Sequence, residues 1–352
     1  MYKCILPIKN QLTRTGAVPI FTEGLYELAE GIYSWMVPNG SWGESNHGLI
    51  TGRTESILID TAWDVTLTKT LIKRLDPIIN SKPINKVINT HGDGDHCWGN
   101  QLFADREIIA SRATQQNMYH VKPEILQKVK KVSEVVQHIP ISRCKHFGQW
   151  FTHMLSSYDY RDVTITPATT TFEREMTIQG DPHELVLYEM QSSHTDGDTL
   201  IYLPKEEILF SGDILFIQGT PVLWAGTADN WIDALKRIIE LNPKTIVPGH
   251  GYFTDTEGVK ALIDYWQFVD HELKQQFLKG VTSVEAANLV ALSADFKKRG
   301  YHKWDAAERI VTSSMTLYKH WSNAPPSKPS TYKQLKMFSE QAELSVRLKA
   351  AS

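Results

Sequence analysis

The chain has 352 residues, enough for two or three average domains or for one large domain with additions. Apolar residues make up 41% and charged residues 22%, the balance of an ordinary soluble globular protein. A net charge of −3 leaves no basic excess for nucleic acid or anionic lipid, so neither a nucleic-acid nor a membrane partner is expected.

The N-terminus, MYKCILPIKNQLTRTG, has neither a sustained apolar core nor a small-residue cleavage site. No apolar run in the chain reaches the ~20 residues of a bilayer span. Cys4, Cys97 and Cys144 are too few for a disulfide framework and fit a reducing compartment, so a cytoplasmic protein is expected.

Residues 24–60 read as strands and turns: Ile32 to Val37, then Gly48 to Ile50 and Ser56 to Asp60, with loop chemistry from Pro38 to Gly43. Leu67, Leu71, Leu75 and Ile79 repeat every four residues and predict a helix. Lys86–Asn89 and Glu107–Ala110 are short strands. Residues 112–160 read as a helical insertion, with Ile125, Val129, Val132 and Val136 at helical spacing. Strands are expected at Val163–Thr166, Glu184–Glu189, Thr199–Leu203, Ile208–Phe210 and Thr245–Val247, with a helix over about 229–241. Beyond residue 254 only helices are expected, one of them opened by the capping box at Thr282–Glu285, and Pro325, Pro326 and Pro329 interrupt this tail. The division is therefore 1–254 as a catalytic unit and 255–352 as a helical extension.

The densest chemistry is Thr90-His91-Gly92-Asp93-Gly94-Asp95-His96. Four potential metal ligands lie within six residues at a strand end, and the two glycines let the backbone turn so that they converge, where a helix is not expected. Asp-Gly pairs are also common in solvated turns. What lifts the run above an ordinary turn is the company of three more strand-end segments: His194 in SSHTDGD, Asp213 in FSGD and His250 in PGHG. Imidazole and carboxylate together suit zinc, iron or manganese.

In this order, Asp60, the His91 cluster, His194, Asp213 and His250 resemble the five-motif signature of the metallo-β-lactamase superfamily over residues 24–254. The resemblance implies an α+β fold, a four-layer αββα sandwich with the site at one edge between its sheets. It implies two divalent metal ions, zinc first and iron or manganese after it. One would be held by His91, Asp93 and His194, the other by Asp95, His96 and His250, with Asp213 bridging and Asp60 supporting the ligands from behind. Asp95 is also a candidate proton acceptor. The family usually has histidine where Asp93 stands. A carboxylate there is a harder ligand, which makes iron or manganese more competitive and the metal a weaker Lewis acid. Asp198 is a candidate to hold a ligand histidine, with capping its own loop as the plainer role. Cys97 is read as a small buried apolar residue.

The implied activity is hydrolysis of a small-molecule substrate by metal-activated water. Trp42, Trp98, Trp150 and Trp224 are candidate pocket walls, although core packing is the commoner role of each. The helical insertion and tail either cap the site or form a homodimer interface. Nucleases of this fold carry an extra domain and basic surface; flavin-linked di-iron reductases need a further α/β domain; secreted β-lactamases carry a leader; long-chain alkylsulfatases are larger. Ester, lactone, thioester, amide and phosphoester bonds stay open. The alternatives are an iron-dependent oxidoreductase of the same fold and a non-catalytic metal-binding protein.

Overall fold

The structure is a computed structural model that describes residues 2–9, 12–13, 16–38, 42–323 and 330–351. The first sheet contains β1 (Lys3–Pro7), β2 (Gly24–Ala29), β3 (Ile32–Met36), β4 (His47–Thr51), β5 (Ser56–Ile59), β6 (Ile84–Ile88), β7 (Glu107–Ser111) and β8 (Thr170–Phe172), in sequential order. Pairing is antiparallel from β1 to β5 and parallel from β5 to β8. The second sheet follows with β9 (Glu175–Gln179), β10 (Glu184–Glu189), β11 (Thr199–Leu203), β12 (Ile208–Phe216) and β13 (Thr245–His250), antiparallel except for the β12–β13 pair.

The helices are α1 (Val65–Ile79), α2 (Gly94–Cys97), α3 (Arg112–Asn117), α4 (Pro123–Val136), α5 (Ser142–Leu155), α6 (Ala228–Leu241), α7 (Thr256–Leu278), α8 (Ser283–Ala291), α9 (Ala294–Lys298), α10 (Ile310–Trp321) and α11 (Thr331–Ala351). Each parallel connection needs a crossover, and α1 supplies the one between β5 and β6. Asp64 starts α1 by accepting the Leu67 N–H at 2.7 Å.

Strand alternation builds the layers. Ile57, Ile59, Ile88 and Ile109 point between the sheets and meet Ile201, Leu203, Phe210 and Val247. Their neighbours Leu58, Val87, Ile108 and Ala110 point outward onto Leu71, Leu75 and Ile79 of α1. On the far side, Leu200, Leu209 and Ile246 pack under Trp231, Leu235 and Ile238 of α6 and under Trp266 of α7. The result is the four-layer αββα sandwich. The same outer cluster continues through α8 and α10 to Leu344 of α11, so the helical tail is packed onto the second sheet's helices.

Several local expectations are corrected. Val163–Thr166 alternates like a strand, yet it runs as a loop. Its Val163 and Ile165 pack on the cluster between the first sheet and α1, and Asn100 donates its Nδ2–H to the Thr166 carbonyl at 3.2 Å. Strands β1, β8 and β9 were not expected. Beyond residue 254 the described residues add helices and no strand. The prolines 325, 326 and 329 and loop positions 39–41 lie outside the described residues. Among the described residues, no helix is long and apolar enough to cross a membrane.

Candidate metal centre

Four segments converge at one edge of the sandwich, and Asp213, expected just after a strand ending at Phe210, lies inside β12 where its pairing with β13 shifts register. β6 delivers Thr90 and His91, the β10–β11 loop delivers His194, β12 carries Asp213, and β13 ends on His250. Contrary to the expectation of a helix-free turn, Gly94–Cys97 forms one helical turn with Asp93 at its N-cap, which places Asp95 and His96 side by side. Gly92 and Gly94 serve close approach here. A Cβ on Gly94 would lie 2.5 Å from the Trp98 ring, and one on Gly92 would lie 2.8 Å from the Asn117 Cβ.

The imidazoles are held from behind, each by its Nδ1. His91 meets the Thr90 hydroxyl at 3.0 Å and His96 meets Asp60 at 2.9 Å. His194 meets the Val222 carbonyl at 2.8 Å and His250 the Glu44 carbonyl at 3.1 Å. A ring that donates its Nδ1–H outward keeps the Nε2 lone pair for the inside. All four Nε2 atoms face Asp213. Its Oδ1 lies 3.2 Å from His96; its Oδ2 lies 3.3 Å from His250, 3.4 Å from His194 and 3.8 Å from His91.

Two sets of ligand atoms lie within 4.8 Å of one another: His91, His194 and Asp213, and Asp95, His96 and His250. Asp95 Oδ2 stands 3.5 Å from His96 and 3.4 Å from His250. Asp93 Oδ2 is 3.2 Å from His194 and its side chain is 31% exposed, at the open side of the first set.

These residues fit a metal pair. The Nε2 atoms of His91 and His96 and Oδ1 of Asp213 are buried without a hydrogen-bond partner. Such atoms are costly unless something coordinates them. The electrostatics agree. Burial alone would lower His194 and His250, but Asp93 and Asp213 at the first and Asp213 and Asp95 at the second push them up to about 9. Burial opposes ionisation of Asp213, yet His250, His96 and His91 hold it well below the usual carboxylate range. A pocket that attracts protons this strongly attracts divalent cations for the same reason.

The metallo-beta-lactamase superfamily model matches residues 40–250. The chain belongs to the metallo-beta-lactamase superfamily. A 2,4-dinitroanisole O-demethylase subunit alpha of Nocardioides sp. is 26% identical over 227 residues, 62% of this chain and 56% of that protein. A hydroxyacylglutathione hydrolase of Bartonella tribocorum is 30% identical over 145 residues, 38% of this chain and 54% of the relative. An alkyl/aryl-sulfatase of Saccharomyces cerevisiae is 21% identical over 340 residues, 86% of this chain and 50% of the relative. The chain thus spans about half the length of these curated relatives.

Among solved structures, an inverting sec-alkylsulfatase of Pseudomonas sp. matches with a TM-score of 0.63 at 16% identity, over 93% of this chain and 60% of that one. A metallo-beta-lactamase family protein of Thermus thermophilus matches with a TM-score of 0.60 at 16% identity, over 85% of this chain and 96% of that one. At such identities the likeness is one of fold. With the Pseudomonas protein it includes the helical tail as well as the superfamily sandwich.

The remaining expected residues fall in different places. Asp60 supports His96 and Thr90 from behind. Asp198 accepts the Thr195 N–H at 3.0 Å and its hydroxyl at 2.6 Å, so it caps its own loop and does not touch the His194 ring. Cys97 is 3% exposed, and burial pushes its thiol well above the usual range. Trp98 (1% exposed) and Trp150 (7% exposed) are core residues. Trp42 stacks edge-on to Trp150 at 5.3 Å, and Trp224 is at the surface with Phe338 at 6.4 Å. The cavity beside His250 is lined instead by Phe216, His153, Arg309 and Lys349. Phe216 follows Asp213 on β12, a signal the sequence offered. Arg309 sits in a single turn of the helical tail, where nothing in the local pattern marks it.

Proposed function

We propose that this superfamily member is a metal-dependent hydrolase with a binuclear centre, zinc being the first choice of metal and iron or manganese the others. The observation that supports it most is the convergence of four Nε2 atoms on Asp213 while every Nδ1 is held from outside. Two divalent cations bound there would supply a water of lowered pKa and polarise the scissile group.

The chain's own work is positioning. His91, His194 and Asp93 would hold one ion, Asp95, His96 and His250 the other, with Asp213 between them. Asp60 and Thr90 fix the rings of His96 and His91, so the ligands are oriented before any ion arrives. The substrate is a small molecule whose ester, lactone, thioester, amide, phosphoester or sulfate-ester bond reaches this edge. Sulfate esters rejoin that set because the likeness to alkylsulfatases runs through the helical tail, which makes chain length a poor ground for setting them aside.

The test is elemental analysis of protein purified without added metal, followed by chelation, reloading with zinc, manganese or iron, and assay against that panel of bonds. Bound metal and activity that returns on reloading are expected. A metal-free protein whose His96→Ala and Asp213→Ala variants behave as wild type would overturn the reading. Oxygen uptake by the iron-loaded protein would favour the oxidoreductase instead.

A further inference from the structure

Beside the metal centre lies a cavity of about 250 Å³, lined by segments far apart in sequence. Phe216 and His250 come from the sandwich, His153 from α5, Lys349 from α11, and Arg309 from the turn ahead of α10. Arg309 is 9% exposed. A guanidinium does not give up its charge inside a protein, so burying one without a counter-charge is costly. Among the described residues this one makes a single hydrogen bond, from Nη1 to the Thr220 carbonyl at 3.2 Å. Its Cζ lies 5.8 Å from the Phe216 ring centre, and among the described residues it has no ion pair. The acids that act on it are, in order, Glu308, Asp213, Asp95 and Asp305. Glu308 already accepts the Trp150 indole N–H at 2.9 Å, and Asp213 and Asp95 face the metal sites. Once cations take up those two charges, Glu308 and Asp305, which also line the cavity, are the acids left to act on Arg309, and its guanidinium keeps open hydrogen-bond donors on the cavity side.

Its placement is fixed by backbone. Thr220 N donates to the Asp305 carbonyl at 2.8 Å and Asp305 N to the Gln218 carbonyl at 2.9 Å, tying the segment before Arg309 to the loop after β12. The Phe216 ring under the guanidinium stacks on the His250 imidazole at 5.2 Å and 4°. Arg309 therefore stands one ring away from a metal ligand, facing a cavity that opens beside it.

Building on the hydrolase reading, we propose that Arg309 binds an oxyanion of the substrate, so that the helical tail selects anionic substrates for the metal centre. The oxyanion is a carboxylate beside the scissile bond or the sulfate of a sulfate ester, both of which present the paired oxygens that a guanidinium fork accepts.

Three substrates with one leaving group separate these cases: 4-nitrophenyl propionate (neutral), mono-4-nitrophenyl succinate (carboxylate) and 4-nitrophenyl sulfate. Arg309→Gln should lower kcat/KM for the anionic substrate by about 10- to 100-fold relative to the neutral one, the range for losing a hydrogen bond to a charged group. The loss should fall mainly on KM, with metal content unchanged and partial recovery in Arg309→Lys. Selective loss on the succinate assigns a carboxylate, and on the sulfate ester a sulfate. An equal fall on neutral and anionic substrates, or loss of metal, overturns the proposal. If the metal-loaded wild type hydrolyses nothing, the hydrolase reading fails by itself. Calorimetric titration of succinate and inorganic sulfate then decides the anion site. Binding to wild type and not to Arg309→Gln supports it, and equal binding to both or to neither overturns it.

Discussion

The Oδ2 of Asp60 lies 2.9 Å from Nδ1 of His96, and the same carboxylate accepts the Thr90 N–H at 2.8 Å and the Thr90 hydroxyl at 2.7 Å. Asp60 holds this position with φ 61, in the left-handed region that aspartate tolerates better than most side chains. Because the Thr90 hydroxyl also meets His91, one carboxylate orients two rings of the candidate centre. Asp60→Asn places an amide against the His96 N–H. Metal affinity should fall about 10- to 100-fold, as for other residues that support ligands from behind, with the circular dichroism unchanged. Competition with a chromophoric chelator measures it. Unaltered affinity would show that the His96 ring is held without this acceptor.

The metal-free protein should have an unusual pH response. His194 and His250 have folded pKa values of about 9 against an ordinary 6.5, because Asp93, Asp213 and Asp95 outweigh the effect of burial. A raised folded pKa contributes stability that is complete below 6.5 and is lost as pH rises through about 9. The chelated protein should therefore melt at progressively lower temperature across that window. Metal binding displaces the same protons, so affinity for cations should rise over it. Thermal melts with and without chelator check both signs. A chelated protein whose melting temperature climbs across the window would contradict the electrostatic account of the site.

Asp93 stands where the resemblance to the superfamily leads one to expect a histidine. Its carboxylate, 3.2 Å from His194 Nε2, reaches the edge of the first ligand set. Asp93→His should keep the fold and move metal preference toward zinc, because imidazole is the softer donor. Elemental analysis after equilibration with equal zinc, manganese and iron reads the change. Identical selectivity in the two proteins would place Asp93 outside the coordination sphere.

Much of the fold is legible in the sequence. The sandwich strands β5, β7 and β11 show as apolar runs because both faces of each are covered. The residues of the candidate centre stand out because imidazoles and carboxylates rarely gather in four successive glycine-flanked segments without a task. What stayed hidden depends on long-range packing. The loop at Val163–Thr166 has strand chemistry but finds side-chain partners instead of a neighbouring strand. The tryptophans were ambiguous for a related reason: Trp98 is large enough to wall a pocket, yet it fills the space that Gly94 leaves open. Arg309 was invisible because its surroundings, Thr220 and Phe216, lie some ninety residues earlier in the chain.

Gly249 offers the sharpest steric test of the centre. A Cβ built there would stand 1.9 Å from Asp213 Oδ1 and 2.7 Å from the Gly212 carbonyl carbon, so the carboxylate or β13 has to move. Overpacking of this kind costs about 1–3 kcal/mol. Gly249→Ala should therefore lower the melting temperature and, by displacing the Asp213 carboxylate, strip metal from the protein. Gly280→Ala is the control. Its φ of 76 makes a side chain strained there too, but nothing lies within 4 Å of the new methyl group. Both variants should lose stability, and only Gly249→Ala should lose metal as read by elemental analysis. Equal metal content in the two variants would show that the Asp213 carboxylate is free to relocate without cost to the centre.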